Sequence, residues 1–152
     1  MAVTDAQAGG VVVDSGGGQS PAIITLDASC GKVEVGDLIG YSAALAGWVR
    51  ADASAAADGT DPIEARFVAI DYGDNTSTEA LNTVIHVSQE CIVSGRFSGG
   101  DIGDPVYASE TAGQTTETAP TGAGLANTII GQLLDASTVE YKINSLADAE
   151  AT

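Results

Sequence analysis

The chain has 152 residues, with 5 Lys and Arg against 21 Asp and Glu, for a formal net charge of −16. Nucleic-acid binding needs clustered cations to neutralise phosphates, and Lys32, Arg50, Arg66, Arg96 and Lys142 stand singly, which excludes DNA and RNA as direct partners. No apolar run approaches the roughly 18 residues of a membrane span, and residues 1–20 carry no signal-peptide or lipidation pattern, so the expectation is synthesis in the cytoplasm without export and no membrane contact.

Residues 1–20 read as a flexible N-terminal arm. Within it Val11, Val12 and Val13 lie between Gly9-Gly10 and Gly16-Gly17-Gly18. Glycine loosens the backbone on both sides, while three β-branched residues favour an extended strand. Such a segment cannot bury itself alone, so it either stays disordered or adds to a sheet edge on a partner. The three valines are therefore the candidate contact residues.

Residues 21–145 read as one β-domain. Short strands are predicted at 22–26, 33–35, 38–41, 48–51, 67–71, 83–88, 91–94, 105–108, 114–118, 128–134 and 138–143, with turn residues between them. An Ala/Gly/Asp-rich excursion occupies 52–62 and a polar loop 73–79. The two helical possibilities, 42–46 and 53–57, are each too short to stand alone. Residues 146–152 form a polar C-terminal tail. The pattern predicts a mainly β fold, a compact barrel or sandwich with little helix.

The core is thin. Hydrophobic residues make up 44% of the chain, but 25 of them are alanines and only 5% of all residues are aromatic. Val, Ile and Leu must supply the packing, and oligomerisation is expected as added stabilisation of a small domain.

The chain also repeats itself, with 22–88 and 91–144 as two similar β-units. Ile24-Thr25-Leu26 precedes Cys91-Ile92-Val93 by 67 residues, and Val35-Gly36-Asp37 precedes Ile102-Gly103-Asp104 by the same spacing. A one-residue loss then aligns Tyr41 with Tyr107 and Gly47 with Gly113. Gly36, Asp37, Gly103 and Asp104 are assigned as structural turn residues: Gly accepts a positive φ, and Asp can bond neighbouring backbone N–H groups.

Catalytic and cofactor patterns are weak, and neither a catalytic residue nor a cofactor or metal is assigned. His86 alternates with Ile85 and Val87 and reads as a surface or interface side chain. No Gly-x-Ser-x-Gly elbow exists, and the glycine-rich stretches at 16–20 and 122–127 lack the Lys or the following helix of a phosphate cradle. Two acidic groups, Asp71, Asp74, Asn75 with Glu79 and Asp52, Asp58 with Asp61, miss EF-hand spacing. Cys30 and Cys91 read as two small core residues, with a single disulfide as the alternative. Trp48 with Tyr41 and Tyr72 reads as core or interface, with a sugar platform as the alternative.

The run Val33-Glu34-Val35-Gly36-Asp37-Leu38-Ile39 and its copy Asp101-Ile102-Gly103-Asp104-Pro105-Val106-Tyr107 resemble the capsid cement, or head decoration, proteins of tailed bacteriophages. The second half continues the likeness through Gly113, Ile129-Ile130-Gly131-Gln132-Leu133-Leu134 and residues 139–143, so that it covers about 22–144. Gln132, where an apolar residue is commoner, and the long loop 51–62 depart from the pattern. The resemblance implies a non-enzymatic viral structural protein, made in the host cytoplasm and carried on the outer capsid surface of the virion. Its implied partners are the major capsid protein and copies of itself, as a homotrimer stabilising the expanded shell. The alternatives are a tail or head-fibre module and a carbohydrate-binding adhesive module.

Overall fold

Inward and outward side chains alternate along most strands, as the period of two requires. A computed structural model describes residues 9–14, 22–57, 59, 61–75, 83–122 and 126–143. The predicted tail and most of the arm lie outside the described residues. Along the chain come β1 (Val11–Asp14), β2 (Ala22–Thr25), β3 (Lys32–Val33), β4 (Leu38–Ser42), β5 (Gly47–Arg50), β6 (Phe67–Ala69) and β7 (Gly73–Asp74). The second half supplies β8 (Val84–Ser88), β9 (Glu90–Ser94), β10 (Pro105–Ala108), β11 (Thr115–Thr116), β12 (Ile129–Asp135) and β13 (Thr138–Lys142). The fold is all β among the described residues. Residues 42–46 and 53–57, the helical possibilities, form turns instead, because each lacks the length to close successive helical hydrogen bonds.

All strand pairs are antiparallel. One sheet runs β2-β8-β6-β4-β5, another runs β1-β9-β13-β12-β10-β11, and β3 pairs with β7. Leaving β1 aside, both large sheets place their strands in the order first, fifth, fourth, second, third. The two Gly-Asp turns also make the same bonds. Gly36 N–H donates to Ala69 O at 2.8 Å and Ala69 N–H to Asp37 O at 2.8 Å; Gly103 N–H donates to Leu133 O at 2.8 Å and Leu133 N–H to Asp104 O at 2.9 Å. Both glycines have positive φ, 94° and 87°.

Two details of the expected repeat need correction. The sheets do not close into barrels: in the first, β5 returns to the β2 side only at the single Leu26–Trp48 bridge, and in the second, the two-residue β11 leaves the edge of β9 to β1. The one-residue loss is also absent. Ser42 lies opposite Gly47, and Ser109 N–H bonds Gln114 O at 2.9 Å, so the spacing stays at 67 residues through this hairpin. Gly113 therefore corresponds to Ala46, not Gly47, and both adopt the left-handed conformation, with φ 79° and 53°. Exposed Ala46 bears a Cβ where its counterpart has none. Relief of about 1–2 kcal/mol of left-handed strain, less roughly 0.5–1 kcal/mol of added chain entropy, predicts that Ala46→Gly raises stability. The expected gain is about 0.5–1 kcal/mol, read as a higher thermal midpoint; an unchanged or lower midpoint contradicts the assignment.

Two apolar clusters hold the fold. Ile24, Ile39, Val49, Ala69, Ile85 and Val87 fill the first sheet. Val93, Val106, Leu133, Val139 and Tyr141 fill the second, joined there by Leu38 and Val68 of the first. The excursion after β5 fastens this joint. Ala51 and Ala53 are fully buried, Ala53 N–H bonds Ser109 O at 2.9 Å, and Gly113 N–H bonds Ala51 O at 2.7 Å. Cys30 and Cys91 are free and buried in different clusters, so the disulfide alternative is not formed. Burial also pushes the Cys30 thiol up from its ordinary range.

Candidate functional site

The chemistry-bearing residues do not assemble into one centre. His86 Nδ1 lies 2.6 Å from Asp71 Oδ2 on an exposed face. Asp74 Oδ2 instead accepts the Tyr72 hydroxyl at 3.3 Å, and Asn75 donates to Leu26 O at 3.2 Å. Asp52 Oδ1 caps Ser54 N–H at 2.8 Å, while Glu79 and Asp58 lie outside the described residues. Among the described residues no three His, Cys, Asp or Glu side chains converge as metal ligands. Trp48 packs edge-to-face between Tyr41 and Phe67, with centroids at 5.3 and 5.4 Å and interplanar angles of 76° and 60°. Tyr41 and Tyr72 are both exposed, and the Tyr72 hydroxyl is bonded to Asp74.

The two Gly-Asp turns share a backbone but differ in surroundings. Asp37 is buried at the meeting of both halves. Its Oδ1 receives Arg96 Nη2 at 2.6 Å, and its Oδ2 receives Glu34 N–H at 2.9 Å. The two side chains are 8% and 1% exposed. A Cβ on Gly36 would meet the Arg96 stem, and one on Gly10 would meet Val93, so the arm, the first turn and Arg96 interlock only because these positions are bare. Gly10 N–H also bonds Val35 O at 2.8 Å. The second turn stands open: nothing lies within 4 Å of a Cβ built on Gly103, and Ile102 before it is 77% exposed.

The arm valines lie on their own chain. Val11 pairs with Ser94 and Val12 with Val93, with a bulge at Val13 before Asp14 meets Ile92. The physical reason is the open flank of β9, which β11 is too short to reach. Val12 is half-buried, while Val11 and Val13 are exposed.

These two valines border a surface that no motif marked. On the six-stranded sheet the inward positions hold Cys91, Val93, Val106, Ile130, Leu133 and Val139. Ile92, Tyr107, Ile129 and Leu134 face outward with Ser94, Thr138 and Gln132, because β12 breaks strict alternation at the register shifts beside Ile130 and Leu134. Ile129 is 58% exposed and Leu134 is also exposed. The outward charges of β9 and β13 are Glu90, Glu140 and Lys142, and Glu140 Oε1 is engaged by Gln132 Nε2 at 3.1 Å and approached by Lys142 Nζ at 4.0 Å. Exposed Asp135 closes the same face at the end of β12, so the aliphatic groups stand among charges on it. Such a surface favours docking to another protein over solvation. The chain matches no family model, no curated protein and no solved structure.

Proposed function

We propose that this protein is a non-enzymatic structural protein, a cement subunit that lays the outer face of its six-stranded sheet against a viral shell and holds neighbouring capsid subunits together. The observation that carries the reading is that Ile129 and Leu134, at the two ends of β12, and Val11 and Val13 at the border of the same sheet are exposed aliphatic side chains. The likeness of the two Gly-Asp segments to head decoration proteins supplies the kind of partner. The net negative charge keeps an exposed layer soluble and discourages non-specific contacts. A homotrimer would multiply modest contacts into long residence on the shell.

Co-sedimentation with expanded, DNA-free shells of a tailed phage tests this. The wild-type chain is expected to pellet with shells and raise their disruption temperature. Ile129→Asp with Leu134→Asp is expected to weaken binding about a hundredfold, since each buried aliphatic anchor contributes roughly 1.5 kcal/mol. Both positions face outward, so circular dichroism should show the variant folded. Equal binding by variant and wild type, or no binding by either, overturns the proposal.

A further inference from the structure

The internal repeat puts two copies of one turn in a single chain, and only the first is covered. Over Val35-Gly36-Asp37 the Arg96 stem crosses bare Gly36; its Nη2 donates to Asp37 Oδ1 at 2.6 Å and its Nη1 to Val35 O at 3.4 Å. Gly36 and Asp37 are buried there, and Val35 is half-buried. The corresponding Ile102-Gly103-Asp104 has the same backbone bonds and the same sign of φ at its glycine. Ile102 and Gly103 are nevertheless exposed and Asp104 is only half-buried. The space over Gly103, which the arginine stem fills in the first turn, is open. Among the described residues no hydrogen bond or ion pair reaches the Ile102 carbonyl or the Asp104 carboxylate. Gly103 N–H bonds Leu133 O, so the open turn stands beside exposed Leu134 at the end of the outer sheet face.

We propose that the Ile102-Gly103-Asp104 turn receives an arginine side chain of a partner protein, its guanidinium bridging the Asp104 carboxylate and the Ile102 carbonyl and its stem lying over Gly103. The first turn shows that this backbone accepts that occupant. Arginine is the fitting cation because its planar fork reaches two acceptors at once, which the compact ammonium of lysine does less well. Charge favours it too, since the turn carries Asp101 and Asp104 on a chain of net charge −16. A second copy of this chain does not fit. One repeat of 67 residues before Arg96 stands Ser29, and Arg50, Arg66 and Arg96 are themselves half-buried or buried. The occupant therefore comes from a different protein with an exposed arginine. Naming the capsid subunit as that protein rests on the proposed function; the arginine site does not.

Titration of the isotope-labelled full-length chain with N-acetylarginine amide, followed by NMR, tests the site without shells. The Asp104 carboxyl carbon and the Ile102 and Gly103 amides are expected to shift together and to saturate at roughly millimolar probe, the affinity of one small ion pair. N-acetyllysine amide should bind about threefold more weakly, lacking the fork. Asp104→Asn, whose turn is held by backbone bonds, should stay folded by circular dichroism and lose the response. An equal response at exposed Glu110 and Asp135, or one that survives Asp104→Asn, overturns the inference. On shells, Asp104→Asn is expected to weaken co-sedimentation about tenfold; unchanged binding overturns the capsid subunit as the arginine's carrier. A wild type that takes up the arginine probe but ignores shells overturns the cement reading and supports the site. One that pellets with shells but shows no shift at Asp104 does the reverse.

Discussion

Arg96→Met should lower the unfolding free energy by about 3–5 kcal/mol at neutral pH, the usual cost of stranding one partner of a buried ion pair. Denaturant titration measures it. The guanidinium has little access to water, and its stem packs where Gly10 and Gly36 leave room for it. Burial pushes the Asp37 carboxyl above its ordinary range, against the opposing pull of Arg96, the Glu34 N–H and Arg50. With Arg96 gone, burial is opposed only by the Glu34 N–H and Arg50, and the carboxyl rises further. A carboxyl whose folded value is raised keeps its proton in the native state while the unfolded chain has lost it. Stability therefore grows as pH falls through the raised value toward the unfolded carboxylate range near 3.8. The loss in Arg96→Met should be greatest at pH 7 and smaller near pH 5. Adding Asp37→Leu should restore most of it, since a well-packed apolar pair replaces a buried ion pair at little cost. A single variant as stable as wild type at pH 7 would show that the pair does not hold the two halves together.

This pair also marks where the sequence stopped being legible. Gly36-Asp37 reads as a turn from local chemistry alone, and Gly103-Asp104 repeats it, because a positive φ and a side-chain carboxylate are needs of the turn itself. Arg96 sits 59 residues from Asp37, between Gly95 and Phe97, and nothing local distinguishes it from a solvated loop cation. Strands such as 105–108 are visible through β-branched and alternating residues, whereas Gly73–Asp74 has no apolar content and its pairing with β3 is purely tertiary. The outer sheet face was hidden for the opposite reason. Residues 128–134 read as one apolar strand, and only the register with β10 and β13 shows that Ile130 and Leu133 point in while Ile129 and Leu134 point out. The arm shows the same limit: three valines specify a strand, but not whose edge it joins.

A second large effect is expected at alkaline pH, from Tyr141. Its ring is fully enclosed in the second apolar cluster, and its hydroxyl has a 2.8 Å hydrogen bond with Thr115 Oγ1, which is itself buried. Burial pushes the phenol up to about 12, with Arg96 and the Thr115 hydroxyl pulling the other way. An unfolded tyrosine ionises near 10, so between about pH 10 and 12 the unfolded chain sheds a proton that the native state retains. Stability must then fall as pH climbs through that window, by about 3 kcal/mol for this one group. Tyr141→Phe should abolish that part of the slope while costing about 1–3 kcal/mol at pH 7, because Thr115 loses its buried partner. The difference between the two proteins' denaturation midpoints, followed from pH 8 to 12, isolates Tyr141 from exposed Tyr41 and Tyr72. Parallel profiles would mean that water reaches the ring in the native state.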